Sequence, residues 1–235
     1  MSVAPTEIQS LTAASFEAPA NFREFCRNGG EPLGGIIGGK SVPGTMNATF
    51  ESCDPGSSQW LATVYEMGAA EVDAAVKAAQ RAFAGNGVNG WRDFPVEERI
   101  ELVKKLVELC DRDRDVLLAC EILDGGKVSE LAEGDVDQIR ACAEYFCGVA
   151  RRIPLGDGPG MDVADGVRGF TYREPWGVVA GIIPWNYPIV LTAWFMFPAL
   201  LSGNCVLIKP AEDTPLSALY IAKLAEEAGF PPGVV

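Results

Sequence analysis

The chain has 235 residues, with 19 Lys and Arg against 32 Asp and Glu, and a formal net charge of -13. That acidity argues against nucleic acid as a partner, because its phosphates would be repelled. The absence of histidine excludes serine triads, cysteine–histidine dyads and histidine metal sites at once. A hydrophobic content of 48% with 22% charged residues is that of a globular chain able to bury a core.

In chain order, Met1 to Pro32 is polar and aperiodic, read as a loose tail with a short amphipathic piece and no secretory signal. Leu33 to Met67 is strand-like, turning at Asp54-Pro55-Gly56, and predicts an antiparallel edge hairpin. Val72, Ala75, Val76, Ala79 and Phe83 recur at helical spacing. A second helix is expected from Pro95, with Ile100, Val103, Leu106, Val107 and Cys110 as its apolar face. Val116, Leu117, Cys120 and Leu123 extend the helical region to a break at Asp124-Gly125-Gly126. Ser129 is placed to cap a further helix lined by Val136, Ile139, Cys142, Ala143 and Phe146. Arg151 to Tyr172 is Gly-rich and weakly alternating, either a surface loop or an exposed arm whose strand edge needs a partner.

From Gly177 the pattern becomes α/β. Val178 to Ile183 reads as a buried strand, Pro188 opens a helix ending near Gly203, and Cys205 to Ile208 forms a second strand. Thr214 and Pro215 begin a helix closed by Gly229, and Val234-Val235 would start a third strand. Strands alternating with helices imply a parallel, doubly wound sheet. Gly177 to Ile208 carries no charge and is long enough to span a bilayer. Pro184, Pro188, Pro198, Asn186 and Asn204 inside it favour a buried strand–helix–strand unit instead. The seven cysteines (26, 53, 110, 120, 142, 147 and 205) contain no Cys-x-x-Cys pair and read as reduced thiols of a cytoplasmic protein.

Three motifs bear on chemistry. Gly34 to Ser41 matches a phosphate-loop pattern, but polar residues precede it and Pro43-Gly44 prevents a following helix, so it reads as a Gly-rich edge strand. Pro184-Trp185-Asn186 follows a predicted strand, where ligands bind in open parallel sheets. Asn186 is either an amide donor to a developing oxyanion or a turn residue bonding its own backbone. Lys209 and Glu212 follow the next strand. They are either ligands to ribose hydroxyls, the carboxylate disfavouring a 2′-phosphate and hence NADP, or a surface ion pair.

Glu174-Pro175-Trp176-Gly177-Val178-Val179, Ile183-Pro184-Trp185-Asn186-Tyr187-Pro188, Pro198-Ala199-Leu200, Gly203-Asn204-Cys205 and Lys209 to Pro215 together resemble the NAD(P)-dependent aldehyde dehydrogenase superfamily. Phe50 to Pro55, the helix Val72 to Phe83, Trp91-Arg92 with Glu98-Arg99, and Gly125-Gly126-Lys127 extend the resemblance upstream, to most of Leu33 to Val235. It implies a Rossmann-like parallel sheet flanked by helices, with an antiparallel edge hairpin and a protruding β arm. Residues 33–150 and 174–235 would form an incomplete NAD-binding domain and 151–173 an oligomerisation arm serving a homo-oligomer. The implied reaction oxidises a small-molecule aldehyde to a carboxylic acid with NAD. A cysteine thiolate attacks the carbonyl, Asn186 helps hold the oxyanion, and a glutamate-activated water releases the acid. Ile183, Pro184, Trp185 and Asn186 would line the nicotinamide, and Lys209, Pro210, Ala211 and Glu212 the adenosine ribose. None of the seven cysteines matches the family's nucleophile, and its base glutamate finds no counterpart here. The chain is therefore expected to be an N-terminal half, inactive alone, with a non-catalytic interaction protein as the alternative.

Overall fold

A computed structural model describes residues 16–85, 90–153 and 155–235. It begins with a helix, α1 (Ala20–Arg27), that buries Phe22 and Cys26. Two antiparallel hairpins follow. Strands β1 (Gly35–Ile37) and β2 (Lys40–Val42) form the first, and β3 (Thr49–Cys53) and β4 (Trp60–Tyr65) the second. The phosphate-loop match is the turn of the first hairpin. Gly38 and Gly39 both adopt positive φ, 59° and 74°, as a two-residue hairpin turn that follows strand twist requires. The expected amphipathic piece within 1–32 is α1. It is packed on β4, so the loose-tail reading is corrected for these residues, whereas 1–15 lie outside the described ones.

Helices α2 (Ala69–Ala84), α3 (Val96–Arg112), α4 (Arg114–Ala119) and α5 (Ser129–Arg152) come next. The predicted apolar face of α3 is buried throughout. That of α2 is not: Val72 is exposed and Ala78 and Ala79 carry the contact, because small residues let the helix lie close to the β sheet. Glu71 closes the N-terminus of α2, accepting from the Gly68 and Thr45 amides at 2.8 and 2.9 Å. Ser129 is the first helical residue and makes no side-chain cap. Between α4 and α5 the chain widens into a π-helical turn, Cys120–Asp124, closed by Gly125 N–H to the Cys120 carbonyl.

The arm starts later than expected, since Arg151 and Arg152 finish α5. It is two nested ladders, β5 (Gly156–Asp157) with β8 (Tyr172–Arg173) and β6 (Met161–Ala164) with β7 (Val167–Gly169). Met161, Val163, Val167, Phe170 and Tyr172 are all exposed on it.

The α/β unit is β9 (Val178–Ile182), α6 (Pro188–Leu201), β10 (Cys205–Lys209) and α7 (Leu216–Ala228). Strands β9 and β10 are parallel, Val178 opposite Cys205 through Ile182 opposite Lys209. The Val206 amide donates to the Val234 carbonyl, so the chain returns beside β10 as a third strand would. Strand β9 is less buried than expected, with Ile182 81% exposed, because it lies at the edge of this parallel pair. Helix α6 is apolar almost all round and packs against α5, α3 and β10. Among the described residues no helix is long and apolar enough to cross a membrane. The uncharged run from Gly177 is instead strand, turn, helix and strand.

The turn from α6 into β10 is clamped from three sides. Trp91 Nε1 donates to the Asn204 carbonyl at 3.0 Å, and Asn204 Oδ1 accepts from the Gly177 amide at 3.0 Å. Buried Arg99 donates to the Leu201 and Phe94 carbonyls at 3.1 and 2.6 Å. Its charge thus meets the negative end of α6, a favourable site for a buried cation. Arg99→Ala leaves both carbonyls without this donor and should cost about 2–4 kcal/mol in denaturant unfolding.

Candidate functional site

The parallel ladder continues one step beyond the strands. Ile183 N–H donates to the Lys209 carbonyl at 2.9 Å, so the segments Pro184–Tyr187 and Pro210–Thr214 leave the carboxyl edge side by side. The Thr214 hydroxyl, predicted as a helix cap, instead donates across to the Trp185 carbonyl at 3.5 Å. Adjacent carboxyl ends of parallel strands are where open α/β sheets bind ligands. Ile183 is buried and fixes the first loop, whereas Pro184, Trp185, Asn186 and Tyr187 are exposed. Pro210 and Ala211 are half-buried, and Lys209 and Glu212 are exposed. All eight residues read from the sequence as cofactor ligands therefore lie at one edge.

Their electrostatics separate the alternatives in part. Among the described residues the Asn186 amide has no protein hydrogen-bond partner, so the self-bonded turn reading lacks its bond. Lys209 Nζ and Glu212 Oε2 do pair, at 3.0 Å. Glu212's own backbone amide, then the lysine, hold its carboxyl below the ordinary value. Exposed pairs of this kind contribute little to stability, which leaves both groups available to a ligand.

Beneath the loops lie residues that sequence reasoning did not single out. Glu121 and Asp124, from the π-helical turn, are fully buried. Glu121 Oε1 accepts from the Ile189 amide in the first turn of α6, at 3.2 Å. Its other oxygen takes Lys127 Nζ at 2.7 Å, and Lys127 also pairs with Asp135 and lies 4.7 Å over the Tyr187 ring. Asp124 accepts from the Ser52 hydroxyl and, at 2.9 Å, from the Leu216 amide in the first turn of α7. Burial pushes Glu121 up, and the Lys127 ammonium pulls it back only in part. Burial works to lower Lys127, but Glu121 and Asp135 outweigh it and hold the ammonium above its ordinary value. Asp124 is pushed up to about 7, by burial first and by Glu121 and Asp213 next, against the Ser52 and Leu216 hydrogen bonds. The available signal is one carboxylate, Glu121, set into the otherwise apolar run Val116 to Leu123, and a second, Asp124, at its end.

The buried thiols are poor nucleophiles. Six of the seven cysteines are buried and all are free. Burial pushes Cys26, Cys110 and Cys205 up to about 12 and Cys142 to about 11. Cys205 is a core residue at the start of β10. No group of acidic or cysteine side chains able to hold a metal occurs among the described residues.

The aldehyde dehydrogenase family model matches residues 42–235. An aldehyde dehydrogenase of Aspergillus niger is 40% identical over 205 residues, which are 87% of this chain and 40% of that protein. The mitochondrial aldehyde dehydrogenase of Rattus norvegicus is 42% identical over 190 residues, 80% of this chain and 35% of the relative. An NAD+ complex of the Bacillus cereus aldehyde dehydrogenase superposes with a TM-score of 0.84 at 37% identity, covering 93% of this chain and 43% of that one. The chain belongs to the aldehyde dehydrogenase family, and it spans about two fifths of the length of these relatives.

Asp124 also makes stability depend on pH. Its folded value, about 7, is raised above the ordinary 3.8, so the stability it contributes is complete below about pH 4 and is lost as pH rises through 7. A shift of this size corresponds to about 4 kcal/mol. Chemical denaturation at about pH 5 and about pH 7.5 should show the wild type losing stability that Asp124→Asn, with nothing to titrate, does not lose.

Proposed function

We propose that this chain carries the coenzyme-binding portion of an NAD-dependent aldehyde dehydrogenase, the whole protein oxidising an aldehyde to a carboxylic acid. The observation that carries this reading is the shared edge, at which the Asn186 loop and the Lys209–Glu212 loop emerge from paired parallel strands. The Asn186 amide, free of protein partners among the described residues, is a donor suited to an oxygen that gains negative charge. The exposed Glu212 carboxylate can accept from both ribose hydroxyls and would repel a 2′-phosphate, which favours NAD over NADP. Ile183, Pro184 and Trp185 supply an apolar wall beside the amide, and Pro210 and Ala211 shape the ribose side. When bound, the dinucleotide supplies the hydride acceptor.

These residues hold and orient, but they do not supply a nucleophile. The buried thiols support an assignment of no dehydrogenase turnover to the 235 residues alone. The apolar residues exposed on the β5–β8 arm favour a role in homo-oligomer assembly, and a purely non-catalytic assembly partner is the second reading. Seven free thiols agree with a cytoplasmic setting.

Calorimetric titration of the purified chain tests the coenzyme reading. NAD should bind and NADP should bind about tenfold more weakly, and Glu212→Gln should lower NAD affinity and narrow that gap. Equal affinity for both coenzymes in wild type and variant would remove the assigned role of Glu212. Formation of reduced coenzyme on adding an aldehyde would overturn the assignment of inactivity.

A further inference from the structure

The two loops of the proposed site have no direct bond to one another beyond the strand ladder and the long Thr214 contact. Each runs straight into a helix. Ile189 lies three residues past Asn186, and Leu216 four past Glu212. The first-turn amides of those helices have no partner within their own helix and must find acceptors. For Ile189 the acceptor is Glu121, and for Leu216 it is Asp124. Both come from one π-helical turn, whose extra residue widens the backbone and fans apart side chains three positions apart. The same turn is pinned elsewhere, Asp124 to Ser52 of β3 and Glu121 through Lys127 to Asp135 of α5. Lys127 then returns to the site by lying over the ring of Tyr187, the neighbour of Asn186.

We propose that the π-helical turn Cys120–Asp124 positions the two coenzyme loops separately, Glu121 setting the Asn186 loop through the Ile189 amide and Asp124 setting the Glu212 loop through the Leu216 amide. Neither carboxylate reaches the edge itself. They are positioning residues, and this role rests on the coenzyme reading above. Separate control has a specific consequence: loss of one prong should harm one half of the dinucleotide site and spare the other. A general loss of stability would weaken both halves together.

The test uses the full chain, with AMP as the adenosine probe and nicotinamide mononucleotide as the probe of the other half. Asp124→Ala should weaken AMP about tenfold and leave the nicotinamide probe unchanged, and Glu121→Ala should do the reverse. Asp124→Asn keeps an acceptor oxygen for Leu216 and should restore AMP binding. Amide hydrogen exchange gives a reading independent of ligand. Asp124→Ala should speed exchange at Leu216 but not at Ile189, and Glu121→Ala the converse. If an alanine variant does not fold, Glu121→Asp, too short to span to Ile189, and Asp124→Ser report the same selectivity. Parallel loss of both probes, or equal exchange changes at both amides, overturns the proposal. If the wild type binds neither probe, the coenzyme reading fails, and the exchange pattern alone decides whether the turn holds the two loops independently.

Discussion

A carboxylate removed from water needs donors converging on it, or it must give up its charge. Glu121 and Asp124 sit deep in an otherwise apolar core, and the donors they find are the buried first-turn amides of two helices, one hydroxyl and one lysine. That requirement organises the molecule. The helix that follows each edge loop must start where its first amide can reach a fixed oxygen. The strand β3 and the helix α5 must stand where they can hold the turn. Helices α6 and α7 could pack by apolar contact at many small offsets. The hydrogen bonds to two carboxylates select one.

The opposite end of the same unit is governed by the same accounting of polar groups. Where α6 gives way to β10, the last carbonyls of the helix are taken by Arg99, and Asn204 ties the turn to the start of β9. Trp91 seals it with an indole N–H. Strand β10 is therefore fixed at its entry by a cation, a side-chain amide and an indole and at its exit by the ladder to Ile183. The edge that carries Asn186, Lys209 and Glu212 inherits its geometry from these anchors. Its own side chains remain solvent-facing and are not consumed in holding the fold.

The arm follows another logic. Its ladders are two-stranded and pair only the inner edge of each strand, and they bury almost none of their own apolar side chains. A structure that leaves Met161, Val163, Phe170 and Tyr172 in water gains little from them as a monomer. This separates the arm energetically from the core, where helices α3, α5, α6 and α7 share one continuous apolar cluster.

Much of this was determined by local sequence. The helical spacing of Ile100, Val103, Leu106, Val107 and Cys110, the glycines at 203 and 229, and the strand–helix alternation after Gly177 are short-range signals, and the structure has the elements they predict. The order of motifs placed the eight edge residues for the same reason, since loops directly after parallel strands must emerge at the carboxyl edge. What tertiary structure alone decided is which polar groups meet across long separations. Nothing near Glu121 announces Ile189, nothing near Asp124 announces Leu216 or Ser52, and nothing near Trp91 announces Asn204. The face of α2, with Val72 outward, and the open side of β9 at Ile182 were likewise set by which neighbours packed there. Periodicity reports whether a residue can face a core, whereas hydrogen-bond partners and burial depend on chain segments that only folding brings together.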